Sequence, residues 1–149
     1  MTVSDKGIEL IKKFEGLSLK PYLCPARIPT IGYGNTFYED GSKVTMSDKL
    51  ITAERATAML KVVVSQFAVG VAKLITFKGV SQHQFDALVS FAYNVGLGNL
   101  KSSTLLKRVN KNEMELASME FKKWDKAGGK VLAGLTKRRE AEAMLFREP

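Results

Sequence analysis

Three residues with chemically useful side chains lie close together near the start of the chain: Glu15, Cys24 and Thr30. They fall in the stretch FEGLSLKPYLCPARIPTIGYGNT, residues 14–36. A carboxyl group at the predicted end of a helix suits a general acid, which glycoside cleavage needs. Cys24 offers a nucleophile, and the hydroxyl of Thr30 can orient a water molecule. The segment therefore has the composition expected of the start of an active site.

Each of these residues also has an ordinary structural interpretation. A single Glu is usually a solvated surface residue, a lone cysteine is more often a small buried hydrophobic residue, and a Thr in a strand usually packs. Lys20 and Arg27 lie near Cys24 in sequence and favour its thiolate form. From position alone, Glu15, Cys24 and Thr30 are therefore three separate, weak candidates.

Capping residues and helix breakers predict the elements that would position this segment. Ser4 can cap a helix over residues 4–15, which Gly16 ends. Residues 17–50 are interrupted by Pro and Gly, and they favour short strands at 30–33 and 43–45. The first half of the chain thus predicts one helix followed by a small sheet.

The second half of the chain is predicted to be helical. A long helix over about 53–76 begins at Thr52, and Ser81 with Gln84 forms a capping box for the next helix. The remaining predicted features are a short helix opening at Thr104, a helix over 112–124, a core position for Trp124, and a last helix capped by Thr136. The pattern predicts an α+β fold that is mainly helical, with one domain over 1–149.

Composition limits the classes of function. The net charge is +8, which favours polyanionic partners such as an acidic cell wall. One Cys and one His argue against a cysteine-cluster or zinc-hydrolase site, so we expect no metal and no cofactor. No basic–aromatic motif suggests nucleic-acid binding. We see no apolar run near about 20 residues and no signal peptide, which predicts no stable membrane insertion.

The chain resembles the phage-type lysozymes, the muramidase endolysins of glycoside hydrolase family 24. The family pattern is Glu, eight residues, Asp or Cys, five residues, Thr, and this chain matches it at Glu15, Cys24 and Thr30. The flanking FEG, PY and TIGYG also match. The resemblance continues through QFDALVSFAYNVGLGNLKSSTLLKRVN at 84–110 and GLTKRREAEAMLF at 134–146. It covers nearly the whole chain.

The resemblance implies a lysozyme-like two-lobe fold. The N-terminal lobe would comprise about 14–52 and the first helix, and would carry a small antiparallel sheet. A connecting helix of about 53–76 would lead to a helical lobe of about 81–149.

The resemblance also implies roles for individual residues. Glu15 would protonate the leaving glycosidic oxygen, and Thr30 would help to hold the attacking water. Cys24 stands where many relatives have Asp, so it would act as a thiolate or as a weak hydrogen-bonding partner. A thiolate attacking the sugar would give retention, and attack by water would give inversion.

Further positions match residues that line the glycan cleft in relatives: Tyr93, Asn94 and Ser103. Each also has a structural interpretation, as a packed aromatic, a helix-ending Asn and a helix cap. Arg138 or Arg139 would pair with Glu15, although solvated charge on the last helix explains either residue as well. Asn35 replaces a His that many relatives have after TIGYG, so we expect altered local hydrogen bonding there.

The implied function is hydrolysis of the β-1,4 bond between N-acetylmuramic acid and N-acetylglucosamine in bacterial peptidoglycan, which lyses the host cell. We expect a monomer that accumulates in the host cytoplasm and reaches the wall with the help of a holin. One alternative is a non-catalytic glycan-binding or membrane-active protein with a lysozyme fold. A cysteine peptidase or amidase using Cys24 and His83 is a third interpretation, and it requires those two side chains to be in contact.

Overall fold

A 22-residue helix runs between a small sheet region and a cluster of shorter helices, in a computed structural model that describes residues 1–149. The helices are α1 (Asp5–Glu15), α2 (Ala53–Leu74), α3 (Gln82–Val95), α4 (Leu97–Ser102), α5 (Thr104–Asn110), α6 (Met114–Ser118) and α7 (Ala133–Arg147). The strands are β1 (Ser18–Leu23), β2 (Pro29–Gly32), β3 (Lys126–Ala127) and β4 (Lys130–Val131), and a 3-10 turn covers Phe121–Lys123. The predicted α+β, mainly helical architecture is confirmed.

Strands β1 and β2 form an antiparallel hairpin, with Tyr22 opposite Thr30. The sequence did not indicate β1 because Pro21 lies inside it. A two-stranded sheet has only edge strands, so a residue without an N–H can be accommodated there. The strand predicted at 43–45 is wrong: Lys43 makes only an isolated bridge to Phe37.

Helix α1 packs against α3 and α7. This differs from the expected grouping of the first helix with the N-terminal lobe. Ser4 stands at the helix start as predicted, but its side chain makes no capping hydrogen bond. Instead, its amide N–H donates to the buried carboxylate of Asp86 at 3.0 Å, and its hydroxyl also donates to Asp86. These bonds tie the start of α1 to α3.

Helix α2 connects the two halves of the fold and contributes to one hydrophobic core. The Thr52 side chain caps it by accepting from the Arg55 N–H at 3.1 Å. A continuous cluster of 27 buried hydrophobic residues runs from Ile31 near the hairpin to Phe146 on the last helix. The α2 members of this cluster are Ala56, Met59, Leu60, Val64, Ala68 and Val71.

The same helix corrects one expectation from the sequence. By length and composition, Ala53–Leu74 is apolar enough to cross a membrane, and 28% of its most apolar window is buried inside the fold. The sequence estimate missed it because scattered charges interrupt the apolar run. Core helices of soluble proteins meet the same criterion, so this finding by itself is weak evidence for a membrane span.

The C-terminal third departs from the predicted helix boundaries. The helix expected over 112–124 is divided into α6 and the 3-10 turn. The predicted cap at Thr136 is wrong, because α7 begins at Ala133 and the Thr136 hydroxyl lies 3.3 Å from the Leu132 carbonyl. Trp124 packs on the core as predicted, edge-on to Phe91 at 5.4 Å between ring centroids.

The close approach of α1 to α3 predicts opposite effects for two helix glycines. A methyl group on Gly7 would overlap Val3 Cγ1 and lie 3.0 Å from Asp86 Cβ, whereas one on Gly134 would meet nothing within 4 Å. We expect Gly7→Ala to lower the free energy of unfolding by about 1–3 kcal/mol. Gly134→Ala should raise it by about 0.5–1 kcal/mol through helix propensity. Urea unfolding followed by circular dichroism measures both; stabilisation by Gly7→Ala would contradict the tight α1–α3 contact.

Candidate active site

Glu15 is the last residue of α1, and a buried arginine on α7 holds its carboxylate. Arg138 Nη1 donates to Glu15 Oε1 at 2.9 Å. The Arg138 side chain is 4% exposed, whereas that of Glu15 is 23% exposed. The two residues are 123 positions apart in sequence, so the contact exists only because α1 packs against α7. The structure selects Arg138, and not Arg139, as the partner of Glu15.

The second carboxylate oxygen of Glu15 lies near the loop that follows β2. A methyl group built on Gly34 would lie 3.7 Å from Glu15 Oε2, so this oxygen approaches the backbone of the loop after β2. Gly34 in turn lines a cleft of about 390 Å³. One oxygen of Glu15 is thus bound by Arg138, while the other lies near Gly34, a residue at the edge of the cleft; Glu15, Cys24 and Thr30 are not themselves among the residues that line it.

Tyr93, near the end of α3, lines the same cleft. Burial raises the pKa of Tyr93 to about 12, with the negative charge of Glu15 adding to the rise and Arg138 opposing it. Its ring packs against Phe67 at 5.2 Å between centroids. Tyr93 therefore presents a neutral phenol in the cleft at physiological pH.

Cys24 and Thr30 come together at the turn between β1 and β2. Hydrogen bonding to the Ile28 backbone, together with the Thr30 hydroxyl, lowers the pKa of the half-buried Cys24 thiol, while desolvation opposes this. The Thr30 hydroxyl also lies within donating distance of the Ile28 carbonyl, at 2.8 Å, so its single hydrogen serves either that carbonyl or the Cys24 sulfur. Lys20 and Arg27, which the sequence suggested as the cause, are not among the groups that lower this pKa. Turn geometry favours the thiolate.

Comparison with known proteins assigns the family. A model described as phage lysozyme matches residues 12–142.

The chain belongs to the phage lysozyme family.

Individual relatives agree with this assignment. The endolysin of Bacillus phage B103 is 51% identical over 148 residues, covering 98% of this chain and 54% of that protein. The chain thus spans about half the length of the Bacillus phage relatives it matches. The endolysin of Salmonella phage P22 is 35% identical over 146 residues, covering 98% of this chain and 99% of that protein.

Solved structures confirm the lysozyme fold. A crystal structure of a P22 lysozyme mutant matches with a TM-score of 0.91 and 34% identity, covering 99% of both chains. The endolysin of Escherichia coli O157:H7 phage FAHEc1 matches with a TM-score of 0.90 and 38% identity, covering 99% of this chain and 94% of that one.

The other two residues suggested by the phage lysozyme resemblance, Asn94 and Ser103, have different surroundings. Asn94 is exposed, and its Oδ1 accepts from Arg139 Nη2 at 2.7 Å. Ser103 is 3% exposed; its hydroxyl donates to the Leu100 carbonyl at 2.7 Å and accepts from the Leu106 N–H at 3.0 Å. A buried hydroxyl used twice to cap a helix leaves no free group for a glycan, so the geometry favours the capping role for Ser103.

Asn35 follows the loop glycine that approaches Glu15. Its backbone bridges to Ile31, but its buried side-chain Oδ1 has no hydrogen-bond partner. The difference in hydrogen bonding from relatives that carry His here stays a prediction.

The structure does not bring together the residues of the peptidase hypothesis. His83 Nδ1 lies 3.1 Å from the Pro149 carbonyl and 3.7 Å from Glu148, at the C-terminal end of the chain. Cys24 has its contacts with Ile28 and Thr30 in the hairpin turn. A thiol and an imidazole that cannot touch do not form a nucleophile–base pair.

The sequence analysis missed the polar cluster behind Arg138. Glu142 is fully buried; its Oε2 accepts from Ser90 Oγ at 2.6 Å and from Arg138 Nε at 3.3 Å. Its Oε1 lies 2.9 Å from Arg139 Nε. The available signal was RRxxE, in which two arginines and a glutamate share one face of a helix at i,i+3 and i,i+4. That spacing is also common on solvated helices. Only burial distinguishes a buried polar cluster from a solvated helix face.

The turn contacts of Cys24 predict early deprotonation of this single thiol. Its reaction with iodoacetamide should show a pH midpoint below that of an unperturbed cysteine, about 8.5. Thr30→Val removes a hydroxyl that favours the thiolate, so the midpoint should rise. Thr36→Val, a change outside the contacts of Cys24, serves as the control. Equal midpoints in wild type and Thr30→Val would show that the hydroxyl has no such effect.

Proposed function

We propose that this chain hydrolyses the β-1,4 bond between N-acetylmuramic acid and N-acetylglucosamine in bacterial peptidoglycan. The observation that carries the proposal is the carboxyl of Glu15, which has one oxygen bound by buried Arg138 and the other near Gly34, a residue that lines the cleft. A fixed acid with one free oxygen can deliver a proton in a defined direction. Membership of the phage lysozyme family supports this assignment.

In the proposed reaction, Glu15 protonates the leaving glycosidic oxygen as the bond to the anomeric carbon breaks. Thr30 and Cys24, in and beside the hairpin turn, provide the nucleophile that attacks the anomeric carbon. With Thr30 holding a water and the Cys24 thiolate taking one of its protons, the resulting hydroxyl adds to the anomeric carbon with inversion. With the thiolate itself attacking, a glycosyl–sulfur intermediate forms and water then releases it with retention. The anomer of the first product distinguishes the two routes.

Substrate contacts are proposed for two of the residues that the sequence singled out. Tyr93 lines the cleft as a neutral phenol, and exposed Asn94 keeps its amide N–H groups available while its oxygen binds Arg139. Hydroxyl and amide donors suit the hydroxyl and N-acetyl groups of the glycan. The net charge of +8 favours association with an anionic envelope.

We further propose that the chain acts as a monomer and remains outside the bilayer when folded, in the host cytoplasm until release. Helix α2 contributes six buried residues to the core, so inserting it into lipid would require the fold to open. Passage to the wall would then depend on a separate membrane-permeabilising protein, a holin.

Glu15→Gln tests the proposed activity. Gln keeps the shape and an oxygen for Arg138 but cannot donate the proton, so release of new reducing ends from purified peptidoglycan should fall by about 10²–10⁴-fold. Glu9→Gln, an exposed change on the same helix, should retain wild-type activity. Cys24→Asp should retain or raise the activity. Full activity in Glu15→Gln would overturn the proposal.

The same assay separates the alternatives. A non-catalytic glycan-binding protein, which the replacement of Asp by Cys24 keeps under consideration, would sediment with peptidoglycan but release no reducing ends in wild type. A cysteine peptidase or amidase would lose activity in both Cys24→Ala and His83→Ala and would release amino groups instead of reducing ends.

A further inference from the structure

We propose that Glu142 sets the pH range in which Glu15 carries its proton, by cancelling one of the two buried arginine charges behind it. This inference rests on the proposed role of Glu15 as a proton donor. It assigns to Glu142 a positioning and electrostatic role, because Glu142 contacts Arg138 and not Glu15.

The contacts form one chain from Glu142 to the cleft. Glu142 Oε2 lies 3.3 Å from Arg138 Nε, and the far end of the same guanidinium, Nη1, lies 2.9 Å from Glu15 Oε1. Arg138 Nη2 donates to the Ser90 carbonyl at 3.2 Å. All three nitrogens of Arg138 are thus engaged, so the guanidinium has one orientation in which it serves both carboxylates.

The second arginine makes the charge balance unusual. Arg139 is fully buried, and its Nε lies 2.9 Å from Glu142 Oε1. Its Nη2 donates to the side-chain oxygen of Asn94, whereas Nη1 and Nε make no hydrogen bond, so the Nε contact with Glu142 Oε1 is an ion pair without hydrogen-bond geometry. Glu142 is therefore the only anion in contact with Arg139. It is also shared with Arg138, so two buried cations share one buried carboxylate.

The consequence for Glu15 follows from this count. With Glu142 ionised, the cluster of Arg138, Arg139 and Glu142 carries a net charge of +1. The carboxylate of Glu15 neutralises this charge. With Glu142 neutral, the net charge is +2, which favours the ionised form of Glu15 and opposes its role as an acid. Burial keeps these interactions strong because little water screens them.

The protonation state of Glu142 is itself set by opposing influences. Burial raises its pKa, whereas Arg139, the Ser90 hydroxyl and Arg138 oppose that rise. Both of its oxygens face cationic nitrogens, and Oε2 also accepts the Ser90 hydroxyl at 2.6 Å. These contacts suit the carboxylate.

Other titratable groups on the elements packed against α7 lie outside this chain of contacts. Tyr93 on α3 is neutral at physiological pH, and Asp86 on the same helix is bound to Ser4 and Gln82. The rest are half-buried Lys12 and His83 and exposed residues on α1, α6 and the 3-10 turn: Asp5, Lys6, Glu9, Lys13, Glu115, Lys122 and Lys123.

Paired variants of opposite sign test the proposal. Glu142→Gln removes a negative charge, so the alkaline limb of the pH–activity profile, where Glu15 loses its proton, should move to lower pH by about one unit. Arg139→Gln removes a positive charge, so the same limb should move to higher pH. The double variant restores the net charge and should return the limb towards its wild-type position.

A purely structural role would lower activity or stability in these variants without moving the limb in opposite directions. Should one of the single variants fail to fold, the other still decides, because the proposal requires its limb to move in the stated direction and a structural role does not. In a folded double variant, displacement of the alkaline limb by a full pH unit would overturn the proposal. The proposal would also fail if wild type and both folded single variants had their alkaline limbs at the same pH.

A measurement independent of catalysis separates this inference from the proposed function. Carbon-13 NMR of labelled glutamate follows the titration of the Glu15 carboxyl in wild type and variants, with Glu15→Gln assigning the signal. Opposite displacements of the Glu15 titration midpoint support the electrostatic role even if the chain releases no reducing ends. Unmoved midpoints in an active enzyme would refute that role while leaving the muramidase assignment intact.

Discussion

The ion pair between Glu15 and Arg138 is the constraint around which the site is built. It joins the end of the first helix to the last helix, across almost the entire sequence. A carboxylate paired with a buried cation has little freedom to rotate, so its second oxygen has a defined direction towards the cleft. The ties of α1 to α3 through Asp86, and the tight contact at Gly7, fix the helix that carries this acid.

The buried cluster behind Arg138 illustrates why a structural polar network and an active site are hard to separate. Burying several charges is costly and seldom improves stability over a well-packed apolar core. The contacts of Glu142 and Ser90 compensate part of that cost by fixing the arginine side chain. In a site that must hold a carboxyl in one orientation, such a network gives rigidity and a local electric field that apolar packing does not provide.

The sequence predicted the class of fold and most helix starts, while the roles of Glu15, Cys24 and Thr30 stay predictions that rest on the family resemblance. Local signals explain this success, because the capping box at Ser81 and the cap at Thr52 depend on residues within three positions. Strand β1 was missed because Pro21 lacks an N–H for strand pairing and usually argues against a strand. Only an edge strand such as β1 accommodates it.

The long-range contacts could not be predicted in the same way. The motif RRxxE does not indicate that α1 and α3 pack against α7. The sequence therefore could not show whether Arg138 or Arg139 pairs with Glu15. The capping role of Ser103 and the separation of His83 from Cys24 likewise depend on how the elements pack. The source of the low Cys24 pKa was misattributed to Lys20 and Arg27, because charge can be read from sequence whereas turn geometry cannot.

Because α1 is attached to the helical part of the fold, the proposed acid and the residues proposed to assist the nucleophile lie on different parts of the structure. The acid and its arginine lie where α1 packs on α3 and α7, whereas Cys24 and Thr30 lie in and beside the hairpin. A bending motion at Gly16, which has a φ of 73° at the end of α1, would change the gap across the scissile bond without breaking the ion pair. Such an opening would increase the distance between Glu15 and the residues Cys24 and Thr30. Glu15 would keep its ion pair with Arg138, so glycan entry and release need not change the orientation of the acid.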